Sequence, residues 1–542
     1  MHLCLYKVKL PAALSIFFVS NDKLCLAARK NQPFSMTTLS YTTSGAIVWA
    51  LGAALGYTIL QCLYNLFFHP LRSFPGPVAR RAHILPSVLS LFRGQWTRDI
   101  LPLVDKYGPV VRVAPNELVF TDPDAWKDIY SHRNGAVIKG EEFGKSLLFY
   151  RSRYVPPSIL GESRENHALL RRHLSHGFSE KSMRDQEPII KGYIDLLIRQ
   201  LKQRCVPAQG AGSEKERLLQ SKTAFDMRNW FTFTTFDLIG DLAFGEPFGC
   251  LEKGERDERV KTIEFGLNTQ QRFMAVKMLG LERFLSLLAR GRAIFQSKIR
   301  QQMTDILRRR MALTVERPDF IEGLLKPQKD WNIPFSSLRS NASLLVIAGS
   351  ETTATLLSGV TYLLLKNPET MKKVIQEVRS TFNSEDEITF SSVQKLSYML
   401  ACLKEATRCY PPVAGPLARV VPKGGAHIAG HFVPEGTVVG VAQYPMYHSD
   451  RNFSDPFSFK PERFIEPEKF PDDRLDAVQA FSVGPRDCIG KNLAYAEMRT
   501  ILARLLFNFD LELVDLQQDW MDQNVYFLWS KPPLNVNLTP VR

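Results

Sequence analysis

Apolar positions recur with helical spacing along most of this chain. After residue 120 they fall three and four positions apart, which places them on one face of a helix. Stretches with the composition and alternation of strands are fewer and shorter. The windows that predict helices are residues 122–130, 167–178, 185–203, 230–244, 292–312, 337–366, 368–382, 391–409 and 492–507.

The strand-like stretches are scattered between these helices. Residues 108–120 predict a hairpin of two short strands around Ala114-Pro115-Asn116. Further strand-like pieces lie at 418–421, 427–432 and 437–442, and again near the C-terminus. No obvious linker divides the body, although residues 205–216 resemble a surface loop. The expected fold class is mainly α with small β-sheets, in a single large domain.

Near the chain start, residues 46–68 form a run of 23 residues without a charge. As a helix this run would span roughly 34 Å, enough for a bilayer core. Arg72, Arg80 and Arg81 follow it, whereas residues 37–44 carry no charge. By the positive-inside bias, we expect a single-pass protein whose main body lies in the cytosol. Residues 74–77, Phe-Pro-Gly-Pro, predict a stiff hinge after the anchor.

Residues 1–35 stand apart from this arrangement. Lys7 and Lys9 precede an apolar run over 10–19 that is too short to span a bilayer and resembles a signal-peptide core. A start at Met36 would leave one conventional anchor. We therefore divide the chain into a possible upstream extension or signal-like segment (1–35), an anchor (36–70) and a catalytic body (71–542).

Composition and charge limit the classes of partner that the protein is expected to bind. The 542 residues carry a net charge of +14, which suits an anionic membrane lipid surface or an acidic protein. The basic residues are scattered rather than set in runs with aromatics, so we expect no nucleic acid partner. The 8 cysteines show no C-x-x-C spacing and no disulfide-framework density, as in a reducing compartment.

Cys488 has the most informative surroundings in the chain. Gly484 and Gly490 flank it and let the backbone turn tightly and approach a planar ligand. Arg486 places a positive charge two residues before the sulfur, and the helix predicted from 492 puts the sulfur near a helix N-terminus. Both features favour thiolate over thiol. This environment is typical of a thiolate that ligates heme iron.

Read from Phe481 to Gly490, the segment Phe-x-x-Gly-x-Arg-x-Cys-x-Gly resembles the heme-binding signature of the cytochromes P450. The resemblance implies the P450 fold and heme b ligated axially by Cys488. It also implies dioxygen as co-substrate and electrons from NADPH through a separate flavoprotein reductase. As in microsomal members, the location would be the endoplasmic reticulum membrane. The Phe-Phe-His-Pro-Leu sequence at 67–71 and the Trp-Met-Asp-Gln segment at 520–523 resemble those of filamentous-fungal members of secondary metabolism, which implies a hydrophobic small-molecule substrate.

The run from Ala348 to Thr353 lies inside the long apolar window 337–366. It resembles the family's oxygen-activation motif, in which Gly349 leaves a groove for oxygen. Glu351 and Thr352 would then deliver the protons that dioxygen needs before its O–O bond breaks. The alternative is a helix-packing contact in which Thr352 bonds back to the carbonyl four residues earlier.

Glu405 and Arg408 lie three apart on one predicted helix face, an arrangement that is ordinarily a solvated ion pair. With Arg463, which follows over fifty residues later, they resemble the family's Glu-x-x-Arg network. The resemblance implies a structural role for all three, locking the cysteine loop without touching substrate.

Heme propionates attract arginines. By resemblance, the candidates are Arg171, Arg419 and Arg486, each of which could also be an ordinary surface residue. His167 stands where many relatives have tryptophan, and its imidazole can also donate to a propionate. We expect apolar pocket walls from Leu345 and from residues 413–417 and 524–528.

The predicted function is a heme-thiolate monooxygenase. Two alternatives remain at this point: a heme-thiolate isomerase or dehydratase that works without a reductase, and a non-enzymatic heme carrier or sensor. Thr352 argues against the isomerase, and a carrier would need neither the acid–threonine pair nor an oxygen groove.

Overall fold

The computed structural model describes residues 36–131, 141–150, 157–205, 222–281, 290–313, 317–325, 333–517 and 519–542. The chain divides between Arg72 and Ser73 into two compact units. The predictions for residues 1–35, and those for 206–216 of the expected surface loop, lie outside the described residues.

The first unit is built on helix α1, Met36–Phe67. Its segment Val48–Phe67 is long and apolar enough to cross a membrane, and only 6% of it is buried inside the protein. Phe335–Lys366, in the second unit, passes the same test of length and composition, but most of it is buried inside the protein. Exposure therefore separates the anchor candidate from a core helix of similar apolar character.

Helices dominate the second unit. Their N-termini follow sequence features that favour helix starts: the hydroxyl of Ser163 accepts from Asn166 N, and Pro368 opens a helix at its first position. The helices are α2 Val78–Ala82, α3 Leu85–Arg93, α4 Trp96–Tyr107, α5 Asp124–Tyr130, α6 Leu147–Tyr150, α7 Arg164–Leu174, α8 Glu180–Arg204, α9 Met227–Phe244, α10 Cys250–Lys253, α11 Glu258–Met278, α12 Arg290–Met311, α13 Glu322–Leu325, α14 Phe335–Lys366, α15 Pro368–Thr381, α16 Ser397–Cys409, α17 Gln443–Tyr447 and α18 Lys491–Asn508.

Three small sheets accompany the helices. The largest has the order β1-β2-β8-β5-β3, in which β2 and β8 are parallel and the other pairs antiparallel. A second has the order β4-β10-β9, and β6 pairs with β7 alone. The strands are β1 Val110–Ala114, β2 Glu117–Phe120, β3 Gly144–Lys145, β4 Thr223–Asp226, β5 Arg419–Val420, β6 Ala426–Ile428, β7 His431–Val433, β8 Val438–Val441, β9 Phe509–Leu513 and β10 Asn535–Pro540.

The mainly helical architecture with small sheets is confirmed, and so is the hairpin around residues 114–116. Two local predictions are wrong. The single strand over 427–432 is a hairpin, because Ala429 and Gly430 both adopt positive φ (45° and 78°) and reverse the chain. The helix over 391–409 is a 3₁₀ turn, Ser392–Lys395, followed by α16.

The apolar pattern of the sequence did not predict helices α3, α4 and α11. α3 has 9 residues, and α4 holds Pro102 in its interior. α11 has 21 residues but buries only Val260, Leu267, Gln271 and Ala275. Only α11 has a weak apolar pattern of its own, whereas α3 and α4 are amphipathic but have only 9 and 12 residues, which show few turns of the period.

The core places α14 at the centre of the second unit. Its residues from Leu338 to Leu364 belong largely to one buried apolar cluster that also contains α9, α16 and α18. Ser350 Oγ on α14 donates to Thr235 O on α9 at 3.1 Å. α18 begins directly after the cysteine loop, so the same core holds both the loop and the helix with the acid–threonine pair.

Candidate active site

The cysteine loop lies between a 3₁₀ turn, Gly484–Arg486, and α18. Cys488 N donates to Phe481 O at 2.9 Å, which closes the loop. The ring of Phe481 packs against Tyr495 on α18 with centroids 5.2 Å apart. Among the described cysteines, Cys488 alone is exposed. The fold therefore holds its backbone firmly while it leaves the sulfur accessible.

The two glycines of the loop differ in what they require. Gly484 has φ 79°, and a Cβ there would lie 2.2 Å from Tyr130 O. It therefore serves close packing against the α5 backbone. Gly490 has φ −89°, open to any residue, and its nearest neighbour atom is a Phe178 carbon at 3.6 Å. The expected tight turn is thus found at Gly484 alone.

Electrostatics at the sulfur have several sources. Burial raises the pKa of the Cys488 thiol, because protein atoms around the accessible sulfur displace water; the Gly490 backbone N–H, Arg171 and Lys491 lower it. The sequence suggested that Arg486 would favour the thiolate. Its Nε instead donates a hydrogen bond to Glu142 Oε1 at 2.7 Å. The nearby cations that favour the thiolate are therefore Arg171 and Lys491.

A group of cations surrounds His167 on α7. Burial and the charges of Arg486, Lys145, Arg171 and Arg419 together lower the pKa of His167 to about 3. Its imidazole is therefore neutral at physiological pH. We call these four cations together with His167 the cationic cluster.

Only part of the cationic cluster is neutralised. Arg171 pairs with Asp487, and Arg486 pairs with Glu142. Arg419 is 4% exposed, and its Nε has no hydrogen-bond partner within the described residues.

Lys145 belongs to the cationic cluster but was not predicted. It lies on the two-residue strand β3, which pairs with β5 so that Lys145 faces Arg419 in register. Its Nζ lies 4.2 Å from the centroid of the Tyr150 ring. Burial and the charges of Arg419 and Arg486 lower the pKa of Lys145 well below its usual value. A two-residue strand leaves no periodic signal, so only the pairing of β3 with β5 reveals this lysine.

The residues present fit heme b. Arg171 pairs with Asp487, and Arg486 shares Glu142 with Arg164. Arg419 and Lys145 have no carboxylate partner among the described residues, so they can meet the two propionates that heme b carries. The buried Nε of Arg419 supplies a donor without a partner among the described residues. The accessible sulfur of Cys488 supplies the axial ligand type.

On α14 the acid and the threonine point to different partners. Thr352 Oγ1 donates to Ala348 O at 2.5 Å, the back-bonded geometry of the helix-packing alternative. Glu351, the acid next to it, forms a buried ion pair with Lys531. A Cβ on Gly349 would lie 3.2 Å from Ile239 Cδ1, so the bare backbone at Gly349 serves the packing of α14 on α9. The oxygen groove at Gly349 stays a prediction.

Glu405, Arg408 and Arg463 form one buried network in which each side chain is 0% exposed. Arg408 makes two hydrogen bonds to Glu405, at 2.9 and 2.7 Å. Arg463 Nε donates to Glu405 Oε1 at 3.3 Å, and Arg463 also pairs with Asp473. The remaining donors of the two arginines reach backbone carbonyls of Tyr447, Ser454, Asp455, Pro456 and Ser458.

The expected pocket walls are mostly apolar, and they include both buried and partly exposed residues. Leu345 on α14 is 8% exposed, and Leu417 O accepts from Tyr130 OH at 2.9 Å. Val525 N donates to Gly94 O at 2.7 Å, and the ring of Phe527 lies 6.1 Å from that of Phe149. The structure thus packs the 524–528 segment against the α3 end and α6.

Comparison with known proteins agrees with this geometry. The family model for cytochrome P450 matches residues 84–538. Cytochrome P450 monooxygenase tpeC of Talaromyces stipitatus is 47% identical over 91% of this chain and 94% of its own. Cytochrome P450 monooxygenase prhB of Penicillium brasilianum is 41% identical over 90% of this chain and 97% of its own. Trichothecene C-15 hydroxylase of Fusarium sporotrichioides is 42% identical, with the same coverage as prhB.

A mainly helical fold, an accessible loop cysteine and a cationic cluster define a heme-thiolate class of protein. The chain belongs to the cytochrome P450 family, and it is a monooxygenase of that family.

Proposed function

We propose that this protein is a membrane-anchored monooxygenase that inserts one oxygen atom of dioxygen into a hydrophobic secondary-metabolite intermediate. The observation that supports it best is the accessible Cys488 thiol close to a cluster of cations only half neutralised by carboxylates. Bound heme would supply the iron at which dioxygen is reduced, with one oxygen atom passing to substrate and the other to water.

The residues divide this work. Cys488 would hold the iron as thiolate, and Arg171 and Lys491 oppose the rise in its pKa. Arg419 and Lys145 have no ion-pair partner in the described parts of the chain and would bind the propionates. Arg171 and Arg486, already paired with carboxylates, would hold the cysteine loop in place beside them. Neutral His167 would donate a hydrogen bond to a propionate.

Thr352 and Glu351 would deliver protons on the side of the heme where substrate binds. Phe481 would pack beside the heme. Glu405, Arg408 and Arg463 would act as structure. Their network joins α16 to the segment 454–473, which leads into the cysteine loop.

The substrate class follows from relatives and pocket composition. One relative is named for hydroxylating a trichothecene, and others of similar identity are named as fungal P450 monooxygenases. The expected pocket walls carry Leu345, Val413, Leu417 and Phe527, which suit an apolar molecule.

Electrons would come from NADPH through a separate flavoprotein reductase, with α1 anchoring the protein in the endoplasmic reticulum membrane. The exposed apolar segment Val48–Phe67 supports the anchor. Removing residues 1–70 is expected to shift the protein to the soluble fraction with an unchanged heme spectrum. Membrane attachment of that shortened protein would count against α1 as the main anchor.

Cys488→Ser tests the proposal. The reduced carbonyl complex is expected to lose the red-shifted Soret band of thiolate ligation, and NADPH-dependent product formation should cease. Cys62→Ser, a partly exposed cysteine on α1, is the matched control and should keep both. A Cys488→Ser protein with the thiolate band would contradict the assignment. Product formed without NADPH or reductase would indicate an isomerase or dehydratase instead.

A further inference from the structure

A buried ion pair lies directly beside the acid–threonine motif. Lys531 Nζ donates to Glu351 Oε1 and, at 2.7 Å, to Thr355 Oγ1 one turn further along α14. Glu351 is 6% exposed and Lys531 9%. Because the pair is removed from bulk water, its attraction is screened far less than that of a surface pair.

Lys531 is held from both sides. Its carbonyl accepts from Arg228 Nη1 at 3.0 Å, and two residues earlier the Trp529 indole donates to Pro411 O at 2.7 Å. The ammonium group therefore approaches α14 from a fixed backbone. The contact with Thr355 fixes its direction as well, since it bridges two residues on one face of the helix.

The other carboxylate oxygen of Glu351 is buried and has no hydrogen-bond partner among the described residues. A buried acceptor without a partner is costly, and such atoms in native structures call for a functional explanation. One oxygen of Glu351 is thus fixed by Lys531, and the second remains available to accept or release a proton.

We propose that Lys531 positions Glu351 for proton delivery. The inference rests on the proposed monooxygenase function. Lys531 stays an ammonium group that holds Glu351 Oε1, and the proton passes through Glu351 Oε2. An O–H bond forms there as a water molecule gives up its proton, and it breaks when the proton is passed on, so no electrons move.

Lys531→Met is the main variant, and Lys222→Met is its matched control, because Lys222 forms an exposed ion pair with Glu512. Lys531→Met is expected to keep the thiolate band of the reduced carbonyl complex. Its product formed per NADPH should fall about tenfold or more, with peroxide released, since well-placed proton transfer contributes at least that much. Lys531→Arg should restore most of the product yield, and Lys222→Met should match wild type.

Thermal unfolding of the heme-loaded protein gives a readout independent of turnover. In a double-mutant cycle with Glu351→Gln, the two changes should be strongly non-additive, because each removes the same interaction. Additive shifts in the unfolding midpoint, or a wild-type product yield in Lys531→Met, would overturn the proposal.

Thr355→Val is the second variant, because it removes the other hydrogen bond of the Lys531 ammonium group and leaves the ion pair in place. If Lys531→Met fails to take up heme, Thr355→Val decides: a wild-type product yield per NADPH overturns the proposal. Loss of the thiolate band in the wild type itself would instead count against the proposed function.

Discussion

Around Glu405, two arginines meet two carboxylates and saturate their remaining donors with backbone carbonyls. Around His167, four cations meet only two paired carboxylates, and a buried guanidinium nitrogen of Arg419 has no partner within the described residues. Both regions are arginine-rich and buried or half-buried. The network around Glu405 can be stable without a ligand. The desolvation penalty of its buried charges is offset because every charge there is paired.

The difference separates structure from binding. A complete network such as that of Glu405 has no capacity left for a ligand, so its function is to hold segments together. In an incomplete cluster the unpaired cations keep their desolvation penalty until a ligand of opposite charge binds to them. In the cationic cluster, Arg419 and Lys145 have no carboxylate partner among the described residues, and the two propionates of heme b carry the opposite charge. Incomplete pairing, more than arginine content, is therefore the feature on which the proposed heme site rests.

Breaking the complete network should have the largest effect. Arg408→Ala leaves Glu405 buried with part of its pairing gone, which costs roughly 3–5 kcal/mol. We expect poor heme incorporation and aggregation, measured by the heme-to-protein ratio and by thermal unfolding. Arg474→Ala removes an exposed pair with Asp476 and should stay near wild type. A folded, heme-replete Arg408→Ala protein with altered substrate choice would place Arg408 in the pocket.

Removing a cation from the incomplete cluster should act on heme retention with little effect on folding. Arg419→Met is expected to speed heme loss by about ten- to a hundredfold, since a charge-assisted hydrogen bond contributes about 1.5–3 kcal/mol. Transfer of heme to an excess of a heme-scavenging protein measures the rate. Arg499→Met is the control, because Arg499 is partly buried but lies on α18, outside the cationic cluster. Unchanged heme loss in Arg419→Met would remove Arg419 from the site.

Glu497 differs from both regions, because burial alone shifts its pKa and no charged partner contributes. Glu497 on α18 is 1% exposed, and burial raises its pKa to about 8. The folded protein therefore keeps this proton while the unfolded chain releases it above about 4.5. Stability should fall as pH rises from about 4.5 to 8, by at most about 1.4 kcal/mol per pH unit.

Glu497→Gln should remove that part of the pH dependence. At pH 5 its thermal midpoint should lie close to wild type, and the advantage of the variant should grow toward pH 8. Thermal unfolding at a series of pH values measures the slope. Parallel curves for the two proteins would show that Glu497 does not titrate in this range.

Elements with a local signal were predictable. α14, α9 and α18 display their apolar periodicity within one window, and the segment from Phe481 to Gly490 holds the cysteine signature in ten consecutive residues. Glu405 and Arg408 are three apart on α16, so their pairing could also be predicted. Arg463 was predicted only through the family resemblance, since nothing local relates it to Glu405.

Other features depend on distant segments meeting. Lys145 joins the cationic cluster because β3 pairs with β5, and Lys531 reaches Glu351 across 180 positions of sequence. The direction of Arg486 toward Glu142, rather than toward the sulfur, depends on a contact 344 positions apart. None of these pairs leaves a pattern in the chain, because a salt bridge constrains two side chains without imposing a period on either segment.

The sequence by itself determined the class of protein, the helical architecture and the cysteine that would bind iron, because each is written in contiguous residues whose spacing has a direct physical meaning. Only the tertiary structure decided which charges are completed and which are left over. Burial and pairing are properties of the folded surroundings, and the same arginine is inert in a saturated network and reactive toward a ligand in an unsaturated one.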